Sequence, residues 1–246
     1  MSKQGHVGIV GGGIMGGDIG QVLLQNGYSV TIRDIDEDVL EKTRDRMEHG
    51  NFGLNRAVEG GYLTAEEKET ALDRLDLTLD LEEAIDGADL IIEAVTEDLV
   101  LKGRVFRELD AVTDDVPIYT NTSGYSVTGL ANVVEDPSRV GGMHFFSPVP
   151  VMDLVEIIYT SETDDAVIEL AETVVDDLGK EGVTIEDDPR HSGFIVNRCW
   201  AAMRDEAQKI VESGIASREQ VNLAMREGRN LPVGPLEGPG LGEEWD

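Results

Sequence analysis

Cysteine and long apolar runs are scarce in this sequence. The single cysteine, Cys199, cannot form an intramolecular disulfide, and its helical surroundings predict a small core residue rather than a nucleophile. No apolar run approaches the roughly twenty residues that a membrane helix needs. The start, "MSKQGHVGIV", passes almost at once into a predicted strand and leaves no room for a signal peptide. These absences predict a soluble cytoplasmic protein.

Positive charge is also scarce. The 246 residues include 20 Lys and Arg against 50 Asp and Glu, for a net charge of −30. Nucleic acid and anionic membranes are therefore poor partners, because the long-range field of the protein repels phosphate. Arginines outnumber lysines by fourteen to six, and acids and bases are interleaved along the whole chain. We interpret this pattern as adaptation to very high salt rather than as ordinary acidity.

Strands alternate with helices through the first two thirds of the chain. "HVGIV" and "YSVTIRD" are predicted strands on either side of a helix, and residues 36–74 are predicted as a helical hairpin whose second helix opens at the capping box "TAEE". "ADLIIEAV" and "PIYTNTS" are typical of strands in a parallel sheet. This alternation predicts an α/β fold, a Rossmann-type doubly wound and mainly parallel sheet, over residues 1–188.

The pattern changes after residue 140. "RVGGMHFF" and "LVEIIYT" predict an antiparallel hairpin at the edge of the sheet. "GVTIEDDPRHSG" predicts a strand that ends in a linker, and two helices follow, over 194–213 and 217–227, the second opened by the capping box "SREQ". Residues 189–246 are therefore predicted to form a small all-helical C-terminal domain.

A glycine fingerprint follows the first predicted strand. Gly11, Gly13 and Gly16 have the spacing G-x-G-x-x-G, and Asp34 ends the next strand, eighteen residues after Gly16. Such a turn lets backbone N–H groups at a helix N-terminus approach a pyrophosphate. A carboxylate at Asp34 accepts hydrogen bonds from ribose hydroxyls and repels a 2′-phosphate, so the pattern favours NAD over NADP. The neighbouring Arg33 weakens that preference slightly.

A histidine and a glutamate lie on either side of the proline-bearing turn in "HFFSPVPVMDLVE". If residues 147–153 connect two antiparallel strands, His144 and Glu156 are directly opposed, with Cβ atoms roughly 5 Å apart. The glutamate would then fix the tautomer of the imidazole and stabilise the imidazolium, which suits a general base. The spacing alone is equally compatible with a surface His–Glu pair.

Six ordered motifs carry a family resemblance. They are "VGIVGGGIMGGDIGQVLLQNGYSVTIRDID", "EAVTEDLVLKGRVFRELD", "TNTSGYSVT", "GMHFFSPVPVMDLVEII", "GFIVNR" and "NLPVGPLE". In order and spacing they resemble the L-3-hydroxyacyl-CoA dehydrogenases, especially the short 3-hydroxybutyryl-CoA type, over nearly the whole chain to about Glu237.

The resemblance implies oxidation of a 3-hydroxyacyl-CoA to the 3-ketoacyl-CoA, with hydride passing to NAD and no metal. It assigns His144 as the general base and Glu156 as the carboxylate that orients it. Ser123 and Asn197 would lie beside the substrate oxygen and the nicotinamide. The other positions that it places at the cofactor are Ala94, Glu97, Lys102 and Ser147.

Some positions depart from the family pattern. Ser147 stands where the family usually has an asparagine that holds the nicotinamide amide, and Asp153 stands where lysine is usual. Asp18 puts a negative charge in the first turn of the helix that would face the pyrophosphate. The tail "EGPGLGEEWD" replaces further helices, and a domain of fewer than sixty residues cannot bury a core alone. We expect it to pack on the large domain or on a second copy, as a homodimer.

The charge map suggests where coenzyme A binds. Residues 42–56 and 190–229 each carry a net charge of +2 in a chain of −30. Coenzyme A has several phosphate charges, so we predict that Arg46 and Arg56 contact its nucleotide end. Pairing of these residues with acids along helix faces explains the same pattern nearly as well.

The sequence is compatible with three functions. The leading prediction is an NAD-dependent 3-hydroxyacyl-CoA dehydrogenase. A relative that oxidises a free hydroxy acid would keep the same His144 and Glu156, and only a requirement for the CoA moiety separates the two. A cofactor-binding protein with little catalysis is suggested by Ser147, Asp18 and the short tail.

Overall fold

A computed structural model describes residues 5–237, which form one eight-stranded sheet with packed helices and, after it in the chain, a second helical unit. The strands are β1 His6–Val10, β2 Ser29–Arg33, β3 Leu75–Thr78, β4 Leu90–Glu93, β5 Ile118–Thr120, β6 Val140–Phe145, β7 Leu154–Tyr159 and β8 Glu181–Glu186. The helices of the sheet unit are α1 Ile14–Gln25, α2 Glu37–His49, α3 Leu54–Glu59, α4 Ala65–Leu72, α5 Leu81–Ile85, α6 Leu99–Asp110, α7 Val127–Ala131 and α8 Asp165–Asp177, with a 3₁₀ helix at Pro137–Arg139.

The strand order is β3-β2-β1-β4-β5-β6-β7-β8. Strands β1 to β6 run parallel, β7 is antiparallel to β6, and β8 is parallel to β7. The predicted Rossmann-type sheet is thus confirmed. The chain builds outward from β1 to β3 and then returns to place β4 on the other side of β1, so the order reverses between β1 and β4. In open α/β sheets this switch point forms a ligand crevice at the carboxyl ends of the strands.

Apolar strands bury the centre of the sheet. Ile9, Ile32 and Ile92 are fully buried in neighbouring strands, as expected for strands covered on both faces. Tyr119 in β5 is also buried, and its hydroxyl donates a hydrogen bond of 2.6 Å to the carbonyl of Val167 in α8. This bond satisfies a polar group in the core, and burial raises the pKa of Tyr119 well above its usual value. The centre is therefore a rigid support for the loops at its edge.

The predicted hairpin is present, but the prediction that it lies at the edge of the sheet was wrong. Strands β6 and β7 pair as an antiparallel hairpin, yet β8 adds a further strand outside β7 and forms the edge. The pattern of "EGVTIE" identifies a strand but not its partner. Because β8 follows α8, its chain crosses over and runs parallel to β7.

The predicted helical hairpin over 36–74 is in fact three helices, α2, α3 and α4. The capping box of Thr64 and Glu67 is confirmed, but it opens the third helix rather than the second. Gly50 and Gly53 lie between α2 and α3, where the chain passes close to the end of α2: a Cβ at Gly50 would lie 2.6 Å from the carbonyl oxygen of Arg46. The strand β3 and the helices α5 and α7 were not predicted.

The first unit ends at His191, and the second unit begins at Ser192. Its helices are α9 Ile195–Glu212 and α10 Arg218–Arg229, and the predicted capping box of Ser217 and Gln220 is confirmed. Its buried apolar cluster comprises Ala207, Val221 and Leu236. Cys199 is exposed on α9, so its assignment to a core was wrong; of α9, Ala207 is buried.

Several apolar side chains of this unit are exposed: Ile195, Val196, Ile215 and Leu223. The tail "EGPGLGEEWD" begins at Glu237, and its residues 238–246 lie outside the described residues. Among residues 5–237, every helix is too short or too polar to cross a membrane.

Candidate active site

The glycine turn between β1 and α1 is shaped by close backbone contacts. Gly11 has φ +111°, and a Cβ there would lie 2.6 Å from the carbonyl of Ala94, which follows β4. A Cβ at Gly16 would overlap the carbonyl oxygen of Gly11. At Gly13, the N-cap of α1, a Cβ would enter open space. The first and third glycines therefore serve packing, whereas the backbone at Gly13 is accessible to a ligand, which fits the pyrophosphate of a dinucleotide.

Helix α2 supports this turn from behind. The hydroxyl of Thr43 donates to the carbonyl of Gly12, and Arg46 donates to the carbonyl of Gly13 at 2.7 Å. Arg46 also pairs with Asp18, Nε to Oδ1 at 3.6 Å. Burial raises the pKa of Asp18, and Arg46 offsets part of that effect. The charge of Asp18 near the N-terminus of α1 is therefore countered within the protein.

Asp34 follows β2 at the same edge of the sheet. Its Oδ2 accepts a hydrogen bond of 2.7 Å from the N–H of Gly12, and its Oδ1 accepts one of 2.8 Å from the N–H of Ile35. The carboxylate is partly exposed and fixed beside the glycine turn. This arrangement fits recognition of ribose hydroxyls by a dinucleotide site.

His144 and Glu156 are paired across the β6–β7 hairpin, as predicted. They are register partners, and Nδ1 of His144 lies 2.7 Å from Oε2 of Glu156. Both are buried, with side chains 5% and 1% exposed. The ring of Phe146 lies against the imidazole, with centroids 4.4 Å apart. A buried carboxylate on Nδ1 makes that nitrogen the donor and directs basic chemistry to Nε2.

Glu97 organises the turn after β5. Its Oε1 accepts hydrogen bonds from the Thr122 hydroxyl at 2.6 Å and from the N–H groups of Ser123 at 2.9 Å and Gly124 at 3.1 Å. Its Oε2 lies 3.2 Å from Nζ of Lys102. Burial acts to raise the pKa of Glu97, but the Thr122 hydrogen bond, the Lys102 charge and the Ser123 N–H outweigh it and lower the pKa below its usual value. The predicted residues Glu97, Lys102 and Ser123 thus belong to one cluster.

Glu93 and Asn121 were missed by the sequence analysis. Glu93 ends β4, is fully buried and pairs with Nζ of Lys102 at 2.8 Å. It lies within the predicted strand "ADLIIEAV", and a charge in the middle of a predicted buried strand was the signal. Asn121 accepts a hydrogen bond of 2.9 Å from the N–H of Phe145, which ties the end of β5 to the end of β6. A single amide after a strand gives no such signal.

Ser147 lies in the connection between β6 and β7. It is exposed and precedes Pro148 through a cis peptide bond. Lys180 holds this connection, since its ammonium group donates to the carbonyls of Val149 at 2.8 Å and Met152 at 2.7 Å. Burial lowers the pKa of Lys180, and the nearby charge of Asp153 offsets part of that effect. Asp153, which stands where the family usually has lysine, thus acts on the charge of Lys180.

A cavity of about 220 Å³ lies between this connection, α1 and the end of α2. Its lining includes Ile14, Asp18, Gln21, Arg46, Phe52 and Ser147. Arg46 therefore lines this cavity and also contacts the glycine turn. Arg56 is exposed, and its Nη1 lies 2.9 Å from Oε2 of Glu59 within α3. This pair agrees with the alternative interpretation, in which the basic residues pair with acids along helix faces.

Asn197 belongs to the second unit, in the first turn of α9, and is partly buried. Its predicted role beside the substrate oxygen stays a prediction.

Within the sheet unit, the glycine turn, Asp34, Glu97 and the His144–Glu156 pair lie at the carboxyl ends of the parallel strands, where β7 begins. A glycine turn of the dinucleotide-binding type with a carboxylate after the next strand, together with a buried histidine–glutamate pair, is typical of an NAD-dependent dehydrogenase.

Comparison with known proteins places the chain within that class. The family model of the 3-hydroxyacyl-CoA dehydrogenase NAD binding domain matches residues 6–188, and the model of the C-terminal domain matches residues 193–238. The chain belongs to the 3-hydroxyacyl-CoA dehydrogenase family, and NAD is its cofactor.

Individual relatives agree with this assignment. A 3-hydroxybutyryl-CoA dehydrogenase of Mycobacterium tuberculosis is 40% identical over 237 residues, which cover 94% of this chain and 79% of that protein. The crystal structure of (S)-3-hydroxybutyryl-CoA dehydrogenase from Ralstonia eutropha has a TM-score of 0.88 and 36% identity, covering 94% of this chain and 80% of that one. The structure of a diketoreductase, described as acting on dicarbonyl compounds, has a TM-score of 0.85 and 26% identity. The match covers 96% of this chain and 82% of that one.

Proposed function

We propose that this protein oxidises (S)-3-hydroxyacyl-CoA to 3-ketoacyl-CoA with NAD as hydride acceptor. The main observation behind the proposal is the buried pair of His144 and Glu156, whose Nδ1 and Oε2 atoms are 2.7 Å apart. The pair lies at the same end of the sheet as the dinucleotide turn. The names of the relatives at 36–40% identity support the hydroxyacyl-CoA substrate.

In the proposed reaction, Nε2 of His144 accepts the proton of the 3-hydroxyl group while hydride leaves C3. NAD, when bound, supplies the hydride acceptor. The carboxylate of Glu156 holds the imidazole in one tautomer and stabilises the imidazolium that forms. Because both side chains are almost fully buried, this stabilisation is stronger than it would be in water. The proton on His144 is then released to solvent after the ketone forms.

The remaining predicted residues have positioning roles in this proposal. Ser123 and Asn197 would donate hydrogen bonds to the substrate oxygen. Ala94, Glu97, Lys102 and Ser147 would line the cofactor site. Arg46 and Arg56 stay predicted contacts of the coenzyme A phosphates, although each already has a carboxylate partner, Asp18 and Glu59.

A second candidate is oxidation of a hydroxy compound without coenzyme A. The diketoreductase of similar fold favours it, because its described substrates are dicarbonyl compounds. The same His144 and Glu156 would serve both reactions, so the site chemistry does not separate them.

The deciding experiment follows NADH formation at molar salt with (S)-3-hydroxybutyryl-CoA and with free (S)-3-hydroxybutyrate, each at a range of concentrations. We expect kcat/KM to be much higher for the CoA thioester. Equal values for the two would favour the second candidate, and no NADH with either would contradict the proposal. The (R)-enantiomer is the control for stereospecific binding.

We also propose that residues 1–188 bind NAD, that residues 189–246 serve substrate binding and dimerisation, and that the protein is a cytoplasmic homodimer. The exposed apolar side chains of α9 and α10, among them Ile195 and Leu223, support a partner surface there. Light scattering at molar salt tests the dimer, and a mass of one chain would contradict it.

A further inference from the structure

A chain of contacts runs from the buried carboxyl end of β4 to the turn that carries Ser123. It begins at Glu93, whose carboxylate accepts hydrogen bonds from the Thr120 hydroxyl at 2.7 Å and from the N–H of Val95 at 2.8 Å. Two neighbouring strands, β4 and β5, therefore fix this carboxylate. It is 0% exposed. Its place does not depend on any flexible surface group.

Lys102 links Glu93 to Glu97. Its Nζ lies 2.8 Å from Oε1 of Glu93 and 3.2 Å from Oε2 of Glu97, and its side chain is 1% exposed. A charge so deeply buried requires compensation, because its transfer from water is costly. Lys102 meets that requirement with two carboxylates, one fixed by the sheet and one on the loop after β4.

Glu97 divides its two oxygens between Lys102 and the turn at 122–124. Oε2 faces Lys102, while Oε1 accepts from Thr122, Ser123 and Gly124. The orientation of this carboxylate therefore depends on how strongly Lys102 attracts it. With Glu93 present, the ammonium charge is shared between two carboxylates. Without the charge of Glu93, Lys102 would attract Glu97 alone and draw it away from the turn.

We propose that Glu93 is a positioning residue, which acts through Lys102 and Glu97 on the turn that carries Ser123. The proposal rests on the proposed function in so far as that function places Ser123 at the reacting oxygen. Glu93 itself is buried beneath the loops and serves by holding Lys102 in place.

Hydrogen exchange in the NAD-free protein tests this chain directly. Glu93→Gln keeps the size of the side chain and removes its charge. We expect the amides of Ser123 and Gly124 to exchange roughly tenfold faster or more, since each loses a hydrogen bond to a charged acceptor. The measurement is exchange followed by mass spectrometry on peptides that span residues 121–125.

Asp110→Asn is the matched control. It removes the charge of another buried pair, Arg139 with Asp110 at 2.7 Å, whose side chains are 5% and 15% exposed. We expect this variant to melt at a lower temperature with unchanged exchange at Ser123 and Gly124. If both variants accelerate exchange there equally, the effect is general loss of stability and the proposal is overturned.

Steady-state kinetics give a second readout. For Glu93→Gln we expect kcat of hydroxyacyl-CoA oxidation to fall roughly ten- to a hundredfold, as for a misplaced group near the reacting atoms. The KM for the acyl substrate should stay nearly unchanged, and Asp110→Asn should keep the kcat of the wild type. An unchanged kcat in folded Glu93→Gln would overturn the proposal.

If Glu93→Gln does not melt cooperatively, Glu93→Asp takes its place. This variant keeps the charge but withdraws the carboxylate from Lys102, so faster exchange at Ser123 and Gly124 is again expected, and unchanged exchange overturns the proposal. If the wild type oxidises no hydroxyacyl-CoA, the proposed function fails, while the exchange data still decide the role of Glu93.

Discussion

The proposed chemistry depends on a few side chains that meet through the pairing of strands. His144 and Glu156 meet because β6 and β7 form a hairpin with one particular register, and a shift of one residue would turn one of them to the other face. Glu97 and Ser123 meet because β4 and β5 are parallel neighbours that end at the same edge. At the scale of single residues, the sheet is what brings them together.

Asp34 is expected to set the cofactor preference. Asp34→Ala should raise the KM for NAD and narrow its preference over NADP, because the carboxylate that recognises ribose hydroxyls and repels a 2′-phosphate is lost. Asp34→Asn is the control, since it keeps an acceptor for the N–H of Gly12. The measurement is kcat/KM with each cofactor, and equal values for the wild type would contradict the prediction.

Glu97 is expected to stabilise the fold in a pH-dependent way. Although partial burial acts to raise the pKa of Glu97, its hydrogen bonds and the charge of Lys102 lower that pKa below its usual value in the folded protein. Its contribution is therefore fully present above the unfolded pKa and is lost as the pH falls through the folded pKa. The difference in free energy of unfolding between wild type and Glu97→Gln should shrink between pH 7 and acid. Urea titrations at constant high salt measure it, and a constant difference would refute this role.

At the scale of elements, the sequence predicted what depends on local pattern. The strand–glycine turn–helix–strand unit and both capping boxes follow from short-range periodicity and turn chemistry, and they are present in the structure. The position of β8 outside β7 could not be predicted, because strand pairing is a long-range property. The charge of Glu93 within a predicted buried strand indicates that this side chain needs a charged partner. Its pairing with Lys102 could not be predicted, because it depends on how α6 and β4 meet in the folded chain.

Helices α2 and α3 carry the two arginines that we predict at the coenzyme A phosphates. Arg46→Met should raise the KM for NAD as well as the KM for acyl-CoA, because Arg46 on α2 also supports the carbonyl of Gly13 and counters Asp18. Arg56→Glu on α3 should raise the KM for acyl-CoA severalfold and leave the KM for NAD unchanged, because a reversed charge at the predicted contact would repel the coenzyme A phosphates. Steady-state titration of both substrates separates the two. An unchanged KM for acyl-CoA in Arg56→Glu would exclude that residue from the coenzyme A site.

At the scale of the whole molecule, we expect electrostatic repulsion to oppose folding. A net charge of −30 on 246 residues disfavours the compact state, and exposed charges repel one another over roughly 10 Å at 0.1 M salt but only over about 3 Å at 1 M. Local pairs such as Arg44 with Glu48 reduce this repulsion only slightly, since exposed ion pairs contribute little.

Folding is therefore expected to require molar salt. Far-UV circular dichroism along a dilution series should show loss of helical signal and of the cooperative melt as the salt concentration falls. Equal molarities of KCl and NaCl serve as the control for a specific ion effect. An unchanged melt at low ionic strength would show that repulsion does not limit stability.

In the proposed reaction, His144 and Glu156 act together as the base of a hydroxyacyl-CoA dehydrogenase. The most direct measurement is kcat for NADH formation from (S)-3-hydroxybutyryl-CoA by Glu156→Gln beside the wild type, with NADH binding measured by fluorescence as a check on the cofactor site. Glutamine keeps the size and a hydrogen bond but loses the charge, so kcat should fall by roughly ten- to a thousandfold while NADH affinity is retained. A folded variant with near-normal kcat would contradict the account, because His144 would then act without Glu156.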